Sequence, residues 1–230
     1  MDLNQLPETF SIATTMSLKD IEWAIEEAIP ENAVDFIKSK SLILKMRKVQ
    51  KLNPDDIWYS LPTISNEFPL TNENENITEF DTYISDDDYR QAEFLNPSLI
   101  HLIDTELVGI KNIWQNFSKK GDDYTLFKNC HVRDKIGKPD LKISFIELIN
   151  LLNVKSSEIG TVKINDKTLD NSFSFKTEST SFYGRKSDGK IIEFCISQSN
   201  ENSNSDISAI NLKFNLLFVD WCNMKVHNSR

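Results

Sequence analysis

Three cysteines, Cys130, Cys195 and Cys222, are an odd number, lie far apart and include no C-x-x-C pair. A disulfide framework is therefore not expected, and the spacing reads as buried or inert thiols in a reducing compartment. Histidine is as scarce, with His101, His131 and His227 the whole supply. His101 has Asp104 one helical turn on, but no further ligand accompanies the pair, so no metal is expected there. None of the six glycines stands in a G-x-G-x-x-G, which removes the usual sign of a dinucleotide fold. The longest apolar run, Leu216–Val219, is four residues, against the roughly 20 that cross a bilayer. The N-terminal stretch MDLNQLPETFSIATTMSLKD has no basic segment and no apolar segment of the kind a secretory leader carries. The expectation is a cytoplasmic protein with no membrane contact, no metal and no cofactor, in which the sequons at Asn76 and Asn116 carry no meaning.

Several partial motifs fail on chemistry. Gly184-Arg-Lys-Ser-Asp-Gly-Lys-Ile191 resembles a phosphate loop in spacing, but Ile191 cannot offer a hydroxyl to magnesium and the flanks read strand–turn–strand. A hairpin tip is the simpler expectation. Asp86-Asp87-Asp88 lacks the alternation and the glycine of an EF-hand loop. Cys130 and His131 are adjacent, which in a strand sends them to opposite faces. Pro139-Asp140 with Glu147 starts a nuclease-like carboxylate pattern that no E-x-K completes. The residues expected to be catalytic are therefore none, and the chain is read as a non-enzyme.

Local signals nonetheless divide the chain. Ser17 with Asp20 resembles a capping box, and Leu18, Ile21, Ile25 and Ile29 then share a helical face up to Pro30. A shorter helix is expected over 31–40 and a strand over 42–49. Asn96-Pro97 is the best helix start. Leu99, Ile103, Leu107, Ile110, Trp114 and Phe117 follow as one apolar stripe, and Lys119, Lys120 and Gly121 form the stop. Gly109 sits mid-helix and makes a break possible. Ser144 with Glu147 opens another helix, with Phe145, Leu148, Ile149 and Leu152 inward. Beyond Thr161 the period becomes two: Phe173 and Phe175 alternate with serines, and Asp188-Gly189 joins Tyr183 to Ile192, Phe194 and Ile196 as a hairpin. Residues 197–206 read as a flexible loop. Ile210, Leu212, Phe214, Leu216 and Phe218 alternate as a strand, and His227 falls in a loose tail. The expected fold class is α+β: a single domain over 1–230 whose helical N-terminal half packs on a C-terminal antiparallel sheet of about four to five strands. Its sub-regions are 1–65 helical and basic, 66–94 an acidic loop or insert, 95–155 a helical core and 156–230 the sheet.

The charge is concentrated. Residues 66–94 carry nine acids and one base, Arg90, while the other 201 residues carry 26 acids and 25 bases. Such a stretch repels itself and invites a basic counterpart. One possibility lies inside the chain, where Lys38, Lys40, Lys45, Arg47, Lys48 and Lys51 run without an acid. The other is a partner. Glu73, Glu75, Glu79, Asp81, Asp86, Asp87 and Asp88, with Phe80, Tyr83 and Tyr89 interleaved, make a docking surface in which carboxylates steer and rings supply contact area. Direct nucleic-acid binding is disfavoured by the net charge of −9. The partner expected is a basic protein, a toxin or enzyme neutralised as an immunity protein or antitoxin neutralises a nuclease. A structural or adaptor subunit of a larger assembly, with the long apolar stripe partly used between chains, and an enzyme whose site is assembled from scattered residues, are the alternatives.

Overall fold

The computed structural model describes residues 9–10, 15–19, 21–49, 53–68, 70–73, 77–200 and 203–228. They fall into two compact units, 1–57 and 58–230. The described residues form eighteen strands in five sheets and four α-helices. The expected helical N-terminal half is not seen.

In the first unit β1 (Thr15–Leu18) and β2 (Ile21–Ile29) form an antiparallel hairpin, α1 (Ala33–Ser39) follows, and β3 (Ile43–Lys48) returns beside β2. The helix expected from Ser17 to Ile29 is thus a strand pair. The reason lies in the spacing. Ile21, Ile25 and Ile29 are four apart, which places them on one helical face but equally on one face of a strand. Trp23 fills the intermediate position, and Glu22, Ala24 and Glu26 alternate with it, so IEWAI also carries a clean period of two. Ser17 belongs to β1 and Lys19 takes φ +52°, while Asp20 of the expected capping box lies outside the described residues. Asn32 caps α1 through its side chain, 2.9 Å from the Asp35 amide.

The second unit runs β4 (Thr63–Ser65), β5 (Thr71–Asn72), β6 (Thr82–Tyr83), β7 (Ala92–Leu95), α2 (Ile100–Asn116), β8 (Ser118–Lys120), β9 (Thr125–Phe127), β10 (His131–Arg133) and β11 (Ile143–Ser144). It continues with α3 (Phe145–Leu151), β12 (Val162–Ile164), β13 (Lys167–Leu169), β14 (Ser172–Lys176), β15 (Thr180–Ser187), β16 (Lys190–Ser199), α4 (Ser203–Phe214), β17 (Leu217–Asp220) and β18 (Lys225–His227). The central sheet has seven strands, in the order β14-β15-β16-β7-β17-β18 with β11 also on β16. It is larger than the four to five strands expected because β7, cut from the end of the acidic stretch, lies between β16 and β17.

One face of this sheet is phenylalanine. Phe94, Phe173, Phe175, Phe182 and Phe194 are each fully buried, with Phe218 beside them, and Phe94 stacks on Phe194 at 4.8 Å. Each such ring contributes roughly 1.5–3 kcal/mol by leaving water. Gly184 is needed in this layer, since a Cβ there would stand 2.2 Å from the Glu193 carbonyl oxygen. Phe145, Leu148 and Ile149 of α3 and Ile207 and Ile210 of α4 close the face. Ser144 caps α3 as expected, accepting from the Glu147 amide, and Asp188-Gly189 turns the β15–β16 hairpin with both residues at positive φ.

The opposite face carries two covers. The α2 stripe, Leu99, Ile103, Leu107, Ile110 and Trp114, packs on Leu95, Leu217, Val219 and Trp221. The four-stranded sheet β5-β13-β12-β6 covers Tyr183 and Cys195 through Val162, Ile164 and Leu169. The long helix is where the sequence places it, although the Asn96 side chain makes no cap and the helix ends at Asn116. Lys119 and Lys120, expected in its last turn, form β8 instead.

Residues 203–214 correct two further expectations. The serines and asparagines read as a loop begin α4. Ser203 accepts from the Asn200 amide at 2.8 Å, and Asp206 accepts from the Thr177 and Ser179 hydroxyls, both at 2.7 Å. Ile207, Ile210 and Phe214 are spaced for a helix and face the phenylalanine layer, leaving Leu212 67% exposed. Of the expected strand only Leu217 and Phe218 lie in one, at the start of β17. His227, expected in a loose tail, belongs to β18, with its ring 5.7 Å from Phe218.

Candidate functional site

The acidic stretch is built into the second unit, and its residues divide by side. Asp81 faces inward. Its carboxylate accepts from the Thr78 and Thr161 amides at 2.9 and 2.7 Å and from both threonine hydroxyls at 3.1 Å. Burial alone would raise its pKa, but the four hydrogen bonds outweigh burial and hold it below the usual 3.8. Just before it, the Phe80 carbonyl accepts from Ser174 Oγ at 2.8 Å, and Gly160 lies so close that a Cβ there would meet the Phe80 backbone at 2.3 Å. The Thr82 and Ile84 amides then donate to Thr161 and Lys163, pairing β6 with β12 in parallel. Tyr89 is 2% exposed, between Phe68 and Tyr183, and its hydroxyl donates to Glu193 at 2.6 Å. Asp81 and Tyr89 are thus supports of the segment, not parts of its outer surface.

The remaining residues point outward. Glu79, Asp86, Asp87 and Asp88 are exposed, Tyr83 is 58% exposed and Phe80 is half-buried. Ser85 Oγ donates to Asp88 at 2.6 Å and Asn165 Nδ2 to Asp86 at 3.0 Å, which orders the aspartate turn. Glu73 is exposed and pairs with Lys167 at 3.6 Å. Glu75 lies outside the described residues. On the basic run of the first unit, Lys38, Lys45 and Arg47 pair with Asp35, Glu27 and Glu26 of that same unit.

Beneath the turn lies a buried polar seam that sequence reasoning missed. Arg90 donates through Nε to Glu93 at 2.7 Å and through Nη1 to the Gly137 carbonyl at 2.8 Å. Glu93 also accepts from Trp221 Nε1 at 2.8 Å, and Glu193 is approached by Arg185 Nη1 at 3.4 Å as well as by Tyr89. Arg133 donates to Thr63, Gln91 and the Arg90 carbonyl and lies 5.1 Å from the Trp221 ring. Burial opposes the charge on Arg90, but Glu93 beside it more than compensates. Arg133, without an equal partner, is pulled down to about 10 by burial. Burial, then Glu193, push the Tyr89 phenol far up, and burial raises Cys222 to about 11. These groups are saturated by one another, and breaking such a pair costs about 3–5 kcal/mol. No periodicity signals them. Arg90 counts as a stray base in an acid run until Glu93 and Trp221 are seen around it.

His131 has a partner the sequence did not indicate. Its Nε2 lies 2.6 Å from Glu106 Oε2, and Glu106, 1% exposed, also accepts from the Lys135 amide at 2.7 Å. His101 and Asp104 are both exposed, and no group of three metal-ligating side chains occurs among the described residues.

A cleft of about 460 Å³ opens beside the acidic turn. One wall is the continuous run 81–85, with Asp88 and Gln91 beyond it. The other is Ile196–Gln198 at the end of β16, and Lys176 and Ser181 complete the lining. A larger cleft of about 690 Å³ includes Asp206, whose carboxylate is already held by hydroxyls. Comparison with known protein families, curated proteins and solved structures finds no match for this chain.

Proposed function

We propose that this is a cytoplasmic binding protein that docks on a basic protein partner and neutralises it, in the manner of an immunity protein or antitoxin acting on a nuclease-type toxin. The observation carrying this reading is the division of the acidic stretch. Asp81, Tyr89, Arg90 and Glu93 are buried and hydrogen-bonded, whereas Glu79, Asp86, Asp87 and Asp88 are exposed, as is the ring of Tyr83. Charges on a braced segment lose little freedom on binding, so their attraction is spent on the partner. Their main effect is on the association rate, which electrostatic steering raises by about ten- to a thousandfold at low salt.

The apolar helix stripe packs on Leu95, Leu217, Val219 and Trp221 of this chain, which leaves less of it for the adaptor alternative. The strongly perturbed ionisable groups serve each other in the seam, which favours a structural role for them over catalysis.

The test is capture of partners on the tagged chain at low and high salt, identification by mass, and measurement with the purified partner. Stoichiometric binding that weakens with salt is expected. Asp86→Asn/Asp87→Asn/Asp88→Asn should slow association by tenfold or more at low salt while leaving Tm within about 2 °C. Salt-independent binding, or a large drop in Tm with unchanged binding, would overturn the reading.

A further inference from the structure

Strand β6 is the outer strand of its four-stranded sheet. The Thr82 and Ile84 amides are committed to β12 at 2.9 and 3.0 Å. Backbone groups alternate in direction along a strand, so the N–H and C=O of Tyr83 point the other way. Among the described residues, no strand pairs with that outer edge. The cleft lies there: its wall runs from Asp81 to Ser85 and includes no residue of β12. A second observation marks the same place. Thr82 is 7% exposed and lines the cleft, and its hydroxyl is one of two buried side-chain polar atoms without a hydrogen-bond partner among the described residues. An open strand edge favours an added strand, and a buried hydroxyl without a partner favours a ligand atom that can hydrogen-bond to it.

We infer that the cleft receives an extended basic segment of the partner, which adds as a strand along the free edge of β6. The juxtaposition is of an unpaired strand edge, a cleft beside it and the Asp88 carboxylate in the cleft wall. The N–H and C=O of Tyr83 exchange hydrogen bonds with the incoming backbone, and the exposed Tyr83 ring covers it. Lysines or arginines at alternate positions meet Asp88 at the cleft wall, with Asp86 and Asp87 next to it. Affinity then comes from the backbone and selection from charge. This inference rests on the docking reading above but specifies the form of the ligand.

The experiment titrates the full chain with Ac-Lys-Val-Lys-Val-Lys-NH2, and separately with a twin N-methylated at every internal amide, at matched low salt. Amide exchange of Tyr83 is followed by NMR. Charge and side chains are the same in both peptides, whereas only the parent can donate from its internal backbone amides. The parent is expected to bind at least tenfold more tightly and to slow exchange of the Tyr83 amide. Equal binding of parent and twin would remove strand addition and leave charge-driven docking standing. Tighter binding of the parent without protection of Tyr83 would place the strand elsewhere and overturn the assignment. If neither peptide binds, both this inference and the docking reading fall.

Discussion

Gly109 shows how a residue that weakens a helix can hold a fold together. At mid-helix it costs about 1 kcal/mol relative to alanine. Yet a Cβ there would stand 2.3–2.8 Å from three atoms of the His131 ring, and that ring is tied to the buried carboxylate of Glu106. The helix is unbroken because packing, not propensity, decides this position. Gly109→Ala should therefore lower Tm, by displacing His131 and stranding Glu106, at a cost of about 1–3 kcal/mol. In a His131→Ala background the same change should be neutral or stabilising. A double-mutant cycle on thermal unfolding reads the coupling, and equal effects in both backgrounds would remove the explanation. Asp81 supports a pH prediction. Its folded pKa lies below the ordinary value, so the folded chain holds the anion more firmly than the unfolded chain does. That contribution is complete above the unfolded pKa of about 3.9 and is lost as pH falls through the lower folded value. Below about pH 4 the wild type should lose stability more steeply than Asp81→Asn, and parallel Tm-against-pH curves in that range would refute this.

Elements were legible where one residue type has one geometric use. Proline after Asn96, Ser144 three before Glu147, and Asp188-Gly189 each marked a boundary found close to its expected place. Elements were misread where two periods fit the same letters. Ile21–Ile25 satisfies a repeat of four and a repeat of two, and the turn at Lys19 resolves it as a strand, whose bulge after Ile25 turns Ala28 inward and leaves Ile29 exposed. Residues 207–218 fit both periods as well. There the contact of Ile207 and Ile210 with the phenylalanine layer selects helix as far as Phe214, and Asn215 at positive φ ends it. The candidate site shows the same limit. The acids are visible in the sequence, but which of them face inward depends on partners far along the chain: Thr161 for Asp81, Glu193 for Tyr89, and Trp221 for Glu93. No local pattern encodes a contact across 80 to 130 residues.

At the scale of the molecule, the buried interior belongs to the second unit. The three hydrophobic clusters and the residues packed against them all lie between Ile84 and Met224, whereas Ala28 is the one buried hydrophobic residue among those described in the first. Trp58 and Tyr59 already belong to the larger body. Lys119 and Lys128 sit over the Trp58 ring at 5.5 and 4.4 Å, and Tyr59 exchanges backbone hydrogen bonds with Phe127 at 2.8 and 2.9 Å. A chain of about 170 residues with its own core is long enough to fold alone. Residues 58–230 expressed without the first unit should therefore unfold in one cooperative transition with Tm close to that of the full chain. Because the exposed acids, the edge of β6 and the cleft lie wholly within those residues, this fragment should also retain binding to the basic probe peptide. A fragment that folds cooperatively but does not bind would show that residues 1–57 supply part of the docking surface, whereas one with no cooperative transition would show that the two units form a single folding unit.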